Sequence, residues 1–359
     1  SVAAAFLLMP KTKSAKRKMR LSRRSFKITP VRGKVCVYFP AEKEISELRF
    51  HIHGPFVPEL SRASIKATDA NQTLYTQLSE LVREALHAIR DYGLLTPDFL
   101  GTLPNTNDNV PERYCLIREA IVEEMNGKPL VPDHNSKMHR PGRKLLQARA
   151  PLKGLLKETD LKFLVGKEVG RAHWAIGAIR NSDQDRFLRD LDILTWDVDE
   201  FVGCIKERST EDWWTKAEPE FHAWLEAKPV EWHRRFYALL YQELGDRRGL
   251  HKLSRSSIVK LEGGGYSTGA DVHFHTGAGG PGKGFQFVDK RVYNGGANKK
   301  ERVEARQFLE GVGVRDISDE DLVLQILNER YGEGSDDVGD EVYAGDFERF
   351  VKVVEDDPD

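Results

Sequence analysis

The sequence predicts an α+β chain: an antiparallel sheet with helices in the N-terminal part, then mainly helices, with a small β meander near residues 256–292. Three observations predict it. Val35, Val37 and Phe39 alternate with Cys36 and Tyr38, and Phe50, Ile52 and Gly54 alternate with His51 and His53, the period of a sheet with one covered face. From Leu74 to Ile89 the apolar residues instead recur at three and four, the period of a helix. Gly and charged turns then return between Ser256 and Val292 before helical spacing resumes.

Taken in order, Val2–Leu8, Phe26–Ile28, Lys34–Phe39 and Leu48–Phe56 are predicted strands. Pro40-Ala41-Glu42-Lys43-Glu44 reads as a polar connection, so the last two strands are expected to form a hairpin-like pair. Asp69 begins a long helix through Leu74, Leu78, Leu81, Val82, Ala85, Leu86 and Ile89, which Gly93 stops. Asp98–Leu103 is a short helical turn. Pro111 suits the first position of a helix carrying Tyr114, Ile117, Ile121 and Val122. Residues 127–143 lack periodicity and read as a long surface loop. Further helices are expected at Asp183–Leu194, Val198–Arg208, Glu211–Glu226 and Val230–Leu244. Trp213, Trp214, Phe221, Trp224, Trp232, Phe236, Tyr237 and Leu240 on the last two predict an aromatic core between helices. After the meander come Lys299–Glu310 and Asp319–Tyr331, the second with Ser318 as N-cap and Asp321 as its capping-box partner. A final acidic helix, Tyr343 to Glu355, carries an apolar face of Phe347, Phe350, Val351 and Val354 and reads as packing.

Length and composition limit the function. A chain of 359 residues, 40% hydrophobic and 31% charged, holds two or three units at about 150 residues each. It buries about 75% of the surface of its unfolded form, so it needs no staple. Cys36, Cys115 and Cys204 lie far apart, with no CxxC or Cys/His cluster, which argues against a disulfide framework or a zinc site. The apolar run Val2–Met9 is too short to cross a membrane, and it precedes the basic residues, the reverse of a secretory signal. A soluble, cytoplasmic protein with no membrane partner is expected. The opening Ser1-Val2-Ala3-Ala4-Ala5-Phe6-Leu7-Leu8 already reads as element interior, so the chain is expected to be a piece of something longer.

The formal net charge of -1 conceals an asymmetry. Residues 1–34 hold about eleven Lys/Arg and no acid, and residues 315–359 about sixteen acids against four bases. The basic run includes Lys16, Arg17 and Lys18 and suits phosphates, from nucleic acid or a nucleotide. Without interleaved aromatic residues to stack on bases, a solvated loop between strands is the simpler reading.

Chemical motifs are sparse. Gly277-Ala278-Gly279-Gly280-Pro281-Gly282-Lys283-Gly284 has the GxxxxGK spacing but lacks the magnesium-binding Ser/Thr. Phe285-Gln286-Phe287-Val288 after it reads as strand, where a phosphate loop requires a helix. His273-x-His275 and His51-x-His53 each offer two imidazoles on a strand, short of the three or four ligands of a zinc site. No GxSxG elbow or HExxH is present.

A resemblance supplies more. Arg49-Phe50-His51-Ile52-His53-Gly54-Pro55-Phe56, Ser61-Arg62-Ala63-Ser64-Ile65 and Leu86-His87-Ala88-Ile89-Arg90-Asp91-Tyr92-Gly93-Leu94-Leu95 are followed by Asp98-Phe99-Leu100, Leu103-Pro104-Asn105 and Ile117-Arg118-Glu119-Ala120-Ile121. In this order they resemble bacterial sacsin-like proteins, large proteins with a GHKL-type ATP-binding domain similar to heat-shock-90-type chaperones. The resemblance is clearest over 34–165 and weaker through Trp232-His233 and Asp289-Lys290-Arg291-Val292-Tyr293.

The resemblance implies that the chain lies downstream of the nucleotide pocket, since the acidic-Asn helix and DxGxG turn of that pocket are missing ahead of its strands. Residues 1–68 would be a transducer-like β-rich region, 69–180 a helical coupling region with the loop 127–143, 181–250 an aromatic-rich helical region, and 251–359 the meander and acidic helices. ATP and magnesium would belong to the intact parent, with no cofactor expected for this chain alone. Its partners would be the missing N-terminal ATP-binding domain and protein clients. In related proteins a cation from the second region reaches the terminal phosphate, and Arg62, then Lys66, are the candidates here. No catalytic or metal-ligating residue is assigned. The alternative is a nucleic-acid-binding module that uses residues 11–34. A third possibility, a phosphate-loop NTPase, would require Lys283.

Overall fold

The computed structural model describes residues 1–11, 25–135, 138–165, 170–211, 214, 216–245, 247–275, 284–331 and 340–356. The α+β expectation holds, with about 48% of the described residues helical and 17% in strands. The chain divides into two compact units, Ser1–Asp197 and Val198–Asp359.

The first unit begins with β1 (Ala3–Ala5), β2 (Leu7–Pro10), β3 (Phe26–Thr29), β4 (Lys34–Cys36), β5 (Pro40–Ile45) and β6 (His51–His53). β2 and β3 form a separate antiparallel ribbon, and the others make a four-stranded sheet in the order β1-β6-β4-β5. Two details depart from the sequence reading. The polar segment after Phe39 is itself strand β5, paired antiparallel with β4. β4 and β6 therefore run parallel, with Val35 opposite Ile52, and do not form a hairpin. Edge position explains β5: Ala41 is buried and Glu42 and Lys43 face solvent, while the Glu44 side chain turns inward.

Two long helices cover the sheet, α1 (Asp69–Asp91) and α3 (Glu112–Gly127), with α2 (Pro97–Leu100) between them. Tyr75, Leu78, Val82, Leu86 and Ile89 of α1 and Tyr114, Ile117, Ile121 and Met125 of α3 are buried in one core with Val35, Phe50 and Ile52. Each fully buried apolar side chain contributes about 1.5–3 kcal/mol. Gly93 ends α1 with φ +71, and its N–H donates to the Arg90 carbonyl, as a C-terminal glycine should.

The described residues of 127–143 hold a short strand pair that the sequence did not reveal. Leu130, Val131 and Pro132 are buried, and β7 (Val131–Pro132) pairs with β8 (His139–Arg140). Strands of two residues leave no periodicity to detect. Then come β9 (Leu145–Gln147), α4 (Ala150–Leu155), α5 (Glu158–Leu164), β10 (His173–Trp174), α6 (Asp183–Asp190) and β11 (Leu194–Thr195). β10 and β11 flank β9 in a parallel three-stranded sheet. α6 is thus shorter than expected, and Leu194 belongs to a strand.

The second unit contains α7 (Val198–Ser209), α8 (Pro219–Glu226), α9 (Val230–Leu244), α10 (Arg247–His251), β12 (Val259–Lys260), β13 (Tyr266–Ser267), β14 (Val272–His273), β15 (Gln286–Phe287), α11 (Arg291–Asn294), α12 (Lys299–Val312), α13 (Asp319–Arg330) and α14 (Asp340–Asp356). Among the described residues of the stretch expected from Glu211, helix begins at Pro219, and Trp214 is 90% exposed. Trp213 lies outside the described residues, and Phe221, Trp224, Trp232, Phe236 and Tyr237 do build a core. Trp232 stacks on Phe236 at 5.0 Å, and Tyr237 lies parallel to Phe308 at 5.1 Å. β12 and β13 form the expected tight hairpin, whereas β14 and β15 run parallel. The Ser318–Asp321 capping box is present. α14 packs by way of Tyr331 against Phe350 and an Arg330–Asp346 ion pair, while Phe347 and Val351 of its apolar face remain exposed.

Candidate functional site

Arg62 and Lys66 lie on the segment that leaves β6 and enters α1. Pro58 bridges Ile65, and the Glu59 N–H donates to the Ser64 carbonyl, closing a tight hairpin turn. Arg62 sits in this turn with φ +56, left-handed, as are only Glu47 and Asn181 among the described non-glycine residues. That conformation costs an L-residue about 1–2 kcal/mol. The Arg62 and Lys66 side chains are exposed. Among the described residues neither is ion-paired, and the Arg62 guanidinium lies 5.8 Å over the Phe39 ring.

The turn is anchored from three elements. From α1, Asn71, 1% exposed, accepts from the Val57 N–H at 2.8 Å and donates to the carbonyls of Val57 at 3.1 Å and Lys66 at 2.7 Å. From β5, Glu44 accepts from the Ile65 N–H at 2.9 Å, while the Lys43 N–H donates to the Ala63 carbonyl. From α3, Arg113 donates to the Ile65 carbonyl at 3.1 Å and to Glu44 at 3.3 Å, and the Tyr114 hydroxyl donates to the same Glu44 oxygen at 2.8 Å. Burial and the hydrogen bond to Glu44 push the Tyr114 hydroxyl far above the usual phenol range. Tyr75 meets Tyr114 edge to face at 5.3 Å, and burial raises its pKa as well.

A cleft of about 600 Å³ opens beside this anchor, lined among others by Thr68, Gln72, Tyr75 and Arg113. The first turns of α1 and α3 therefore converge on the base of the segment that displays Arg62 and Lys66. Two cations on a pinned turn suit contact with an anionic group presented from outside. Asp69 and Glu112 line the same cleft.

Lys16, Arg17, Lys18 and Lys283 lie outside the described residues, although the ends of the first basic run meet where the Lys11 N–H donates to the Ser25 carbonyl. The segment after Gly284 is strand β15, as expected. His51 accepts from the Lys34 N–H, and His53 stands edge-on to Tyr38. His273 lies 3.7 Å from Asp321 and His275 3.0 Å from Glu262, so each faces its own carboxylate. Among the described residues no group of three or more His, Cys, Asp or Glu is placed to hold a metal ion. No described helix is long and apolar enough to cross a membrane.

Sequence reasoning missed Asn71, Glu44 and Arg113. Their only signal was a polar residue in the first turn of an otherwise amphipathic helix, and a carboxylate within a polar run. Comparison with known proteins adds no relative: no family model, curated protein or solved structure matches the chain.

Proposed function

We propose that this chain is the transducer and coupling part of a sacsin-like, chaperone-like GHKL ATPase, relaying nucleotide state to downstream regions without catalysing hydrolysis itself. The observation that carries the reading is the exposed pair Arg62 and Lys66 on a turn fastened to α1, α3 and β5. A phosphate reached by that turn would pull on the starts of both long helices, and a cation there stabilises negative charge while linking it to domain docking. ATP and magnesium would be held by an N-terminal partner domain, in a cytoplasmic protein acting on protein clients. In the intact parent, Arg62→Ala should lower the ATP turnover number at least tenfold while KM stays within about threefold, the pattern of an interaction made mainly in the transition state. Unchanged turnover, or robust hydrolysis by the 359-residue chain alone, would refute the proposal.

The nucleic-acid alternative draws on the charge of residues 11–34 alone. It predicts binding that weakens steeply with salt and disappears when Lys16, Arg17 and Lys18 are neutralised.

A further inference from the structure

Lys153 occupies a second site, unrelated to the turn. It projects from α4 toward the C-terminal ends of the parallel strands β9 and β10, the end of a parallel sheet where ligand sites form. The residue is 6% exposed. Its Nζ donates to the Gln147 side-chain oxygen and, at 2.8 Å, to the Ala175 carbonyl. Buried lysines are normally paired with a carboxylate. Among the described residues Lys153 has no such ion pair, and nearby Asp197 is engaged by Arg149 at 3.0 Å.

Two acceptors match the two N–H bonds of a neutral amine and leave its lone pair at the third tetrahedral position. A charged ammonium would instead carry one N–H more than these two acceptors satisfy. Lys153 also lines a cleft of about 400 Å³. Trp174 and Leu156 form its apolar wall, the indole N–H being occupied by the Leu156 carbonyl at 2.9 Å. His134, Lys157 and Glu158 line the polar side. Burial holds the Lys153 pKa down at about 8 and lowers that of His134 too.

We propose that Lys153 is a reactive amine that condenses with a small 2-oxo acid to form an imine in this cleft. The nitrogen lone pair forms a bond to the carbonyl carbon while the carbonyl π pair moves to oxygen. The resulting carbinolamine then loses its oxygen as water, both amine protons departing in the process, and no oxidant or reductant is consumed. His134 is the acid/base group facing the cleft that can exchange protons with that oxygen, and Lys157 supplies a cation for the acid's carboxylate. A lysine that served only to tie Gln147 to Ala175 would fill the same two acceptors but would not react.

The test is trapping with glyoxylate and cyanoborohydride, followed by peptide mapping of carboxymethyl-lysine on the folded wild-type protein. At pH 7.5 Lys153 should label at least about tenfold faster than the exposed Lys128. Its labelling rate should level off above pH ~8, with Asp133, His134, Lys157, Glu158 and Asp197 as the titratable or charged groups around the cleft. His134→Gln should slow labelling severalfold with Lys153 still the preferred site, and acetaldehyde, lacking a carboxylate, should label Lys153 less than glyoxylate. Label spread over exposed lysines with Lys153 spared would overturn the proposal. Equal rates for glyoxylate and acetaldehyde would overturn its assignment to an acid.

Discussion

Asn71→Ala tests the anchoring of the Arg62 turn most closely. The side chain is buried and makes three hydrogen bonds, to the Val57 N–H and to the Val57 and Lys66 carbonyls. At about 1 kcal/mol net each, their loss costs at most about 3 kcal/mol. Val57 is 43% exposed, so water recovers part of that, and about 2 kcal/mol is expected. With a urea slope of about 2 kcal/mol/M, the midpoint of the first unit should fall by about 1 M. Asn71→Asp should be worse at neutral pH, because a carboxylate would face two carbonyls where an amide donor stood. Protonation at low pH should recover part of its deficit. Urea melts followed by hydrogen exchange at the Val57 amide provide the assay. A loss below about 0.5 kcal/mol for Asn71→Ala, or an Asp variant as stable as the Ala variant, would refute the reasoning.

Two further outcomes follow from backbone and burial. His233 is fully buried; one ring nitrogen bonds the Pro229 carbonyl and the other the Tyr266 hydroxyl. Burial lowers its pKa to about 4, below the unfolded value of about 6.5. The unfolded chain thus binds the extra proton first, so this contribution is intact above pH ~6.5 and falls by up to about 3 kcal/mol as pH drops toward 4. Thermal melts of the second unit, with NMR titration of the His233 ring, check this. At Arg62, with its left-handed backbone, Arg62→Gly should leave stability unchanged or raise it by up to about 1 kcal/mol in a urea melt, because glycine relieves the φ > 0 penalty but adds unfolded-state entropy.

What the sequence disclosed depended on the range of the interactions. α1 was legible because Leu78, Val82, Leu86 and Ile89 repeat at helical spacing and Gly93 ends it. The Ser318–Asp321 capping box was legible because both partners lie within one turn. β5 was not: Glu44 is a charged residue on an edge strand, and its partners Arg113 and Tyr114 stand 69 and 70 positions away. The strands around 131–140 are too short to show a period. Arg62 was recognisable as a cation following a strand, yet the device that fixes its turn was not. Asn71 looks like any polar helix residue until Val57 is folded against it. Lys153 gave no local signal either, since its acceptors come from the end of β9 and the residue after β10.

The central claim is that the Arg62–Lys66 turn and the first turns of α1 and α3 respond together to nucleotide in the parent protein. Hydrogen exchange of the intact parent, with and without a non-hydrolysable ATP analogue and magnesium, tests it most directly. The account predicts that protection changes jointly over residues 54–68, 69–72 and 112–115, and that Asn71→Ala confines the change to the turn. Nucleotide binding with no altered exchange anywhere in those three stretches would contradict it.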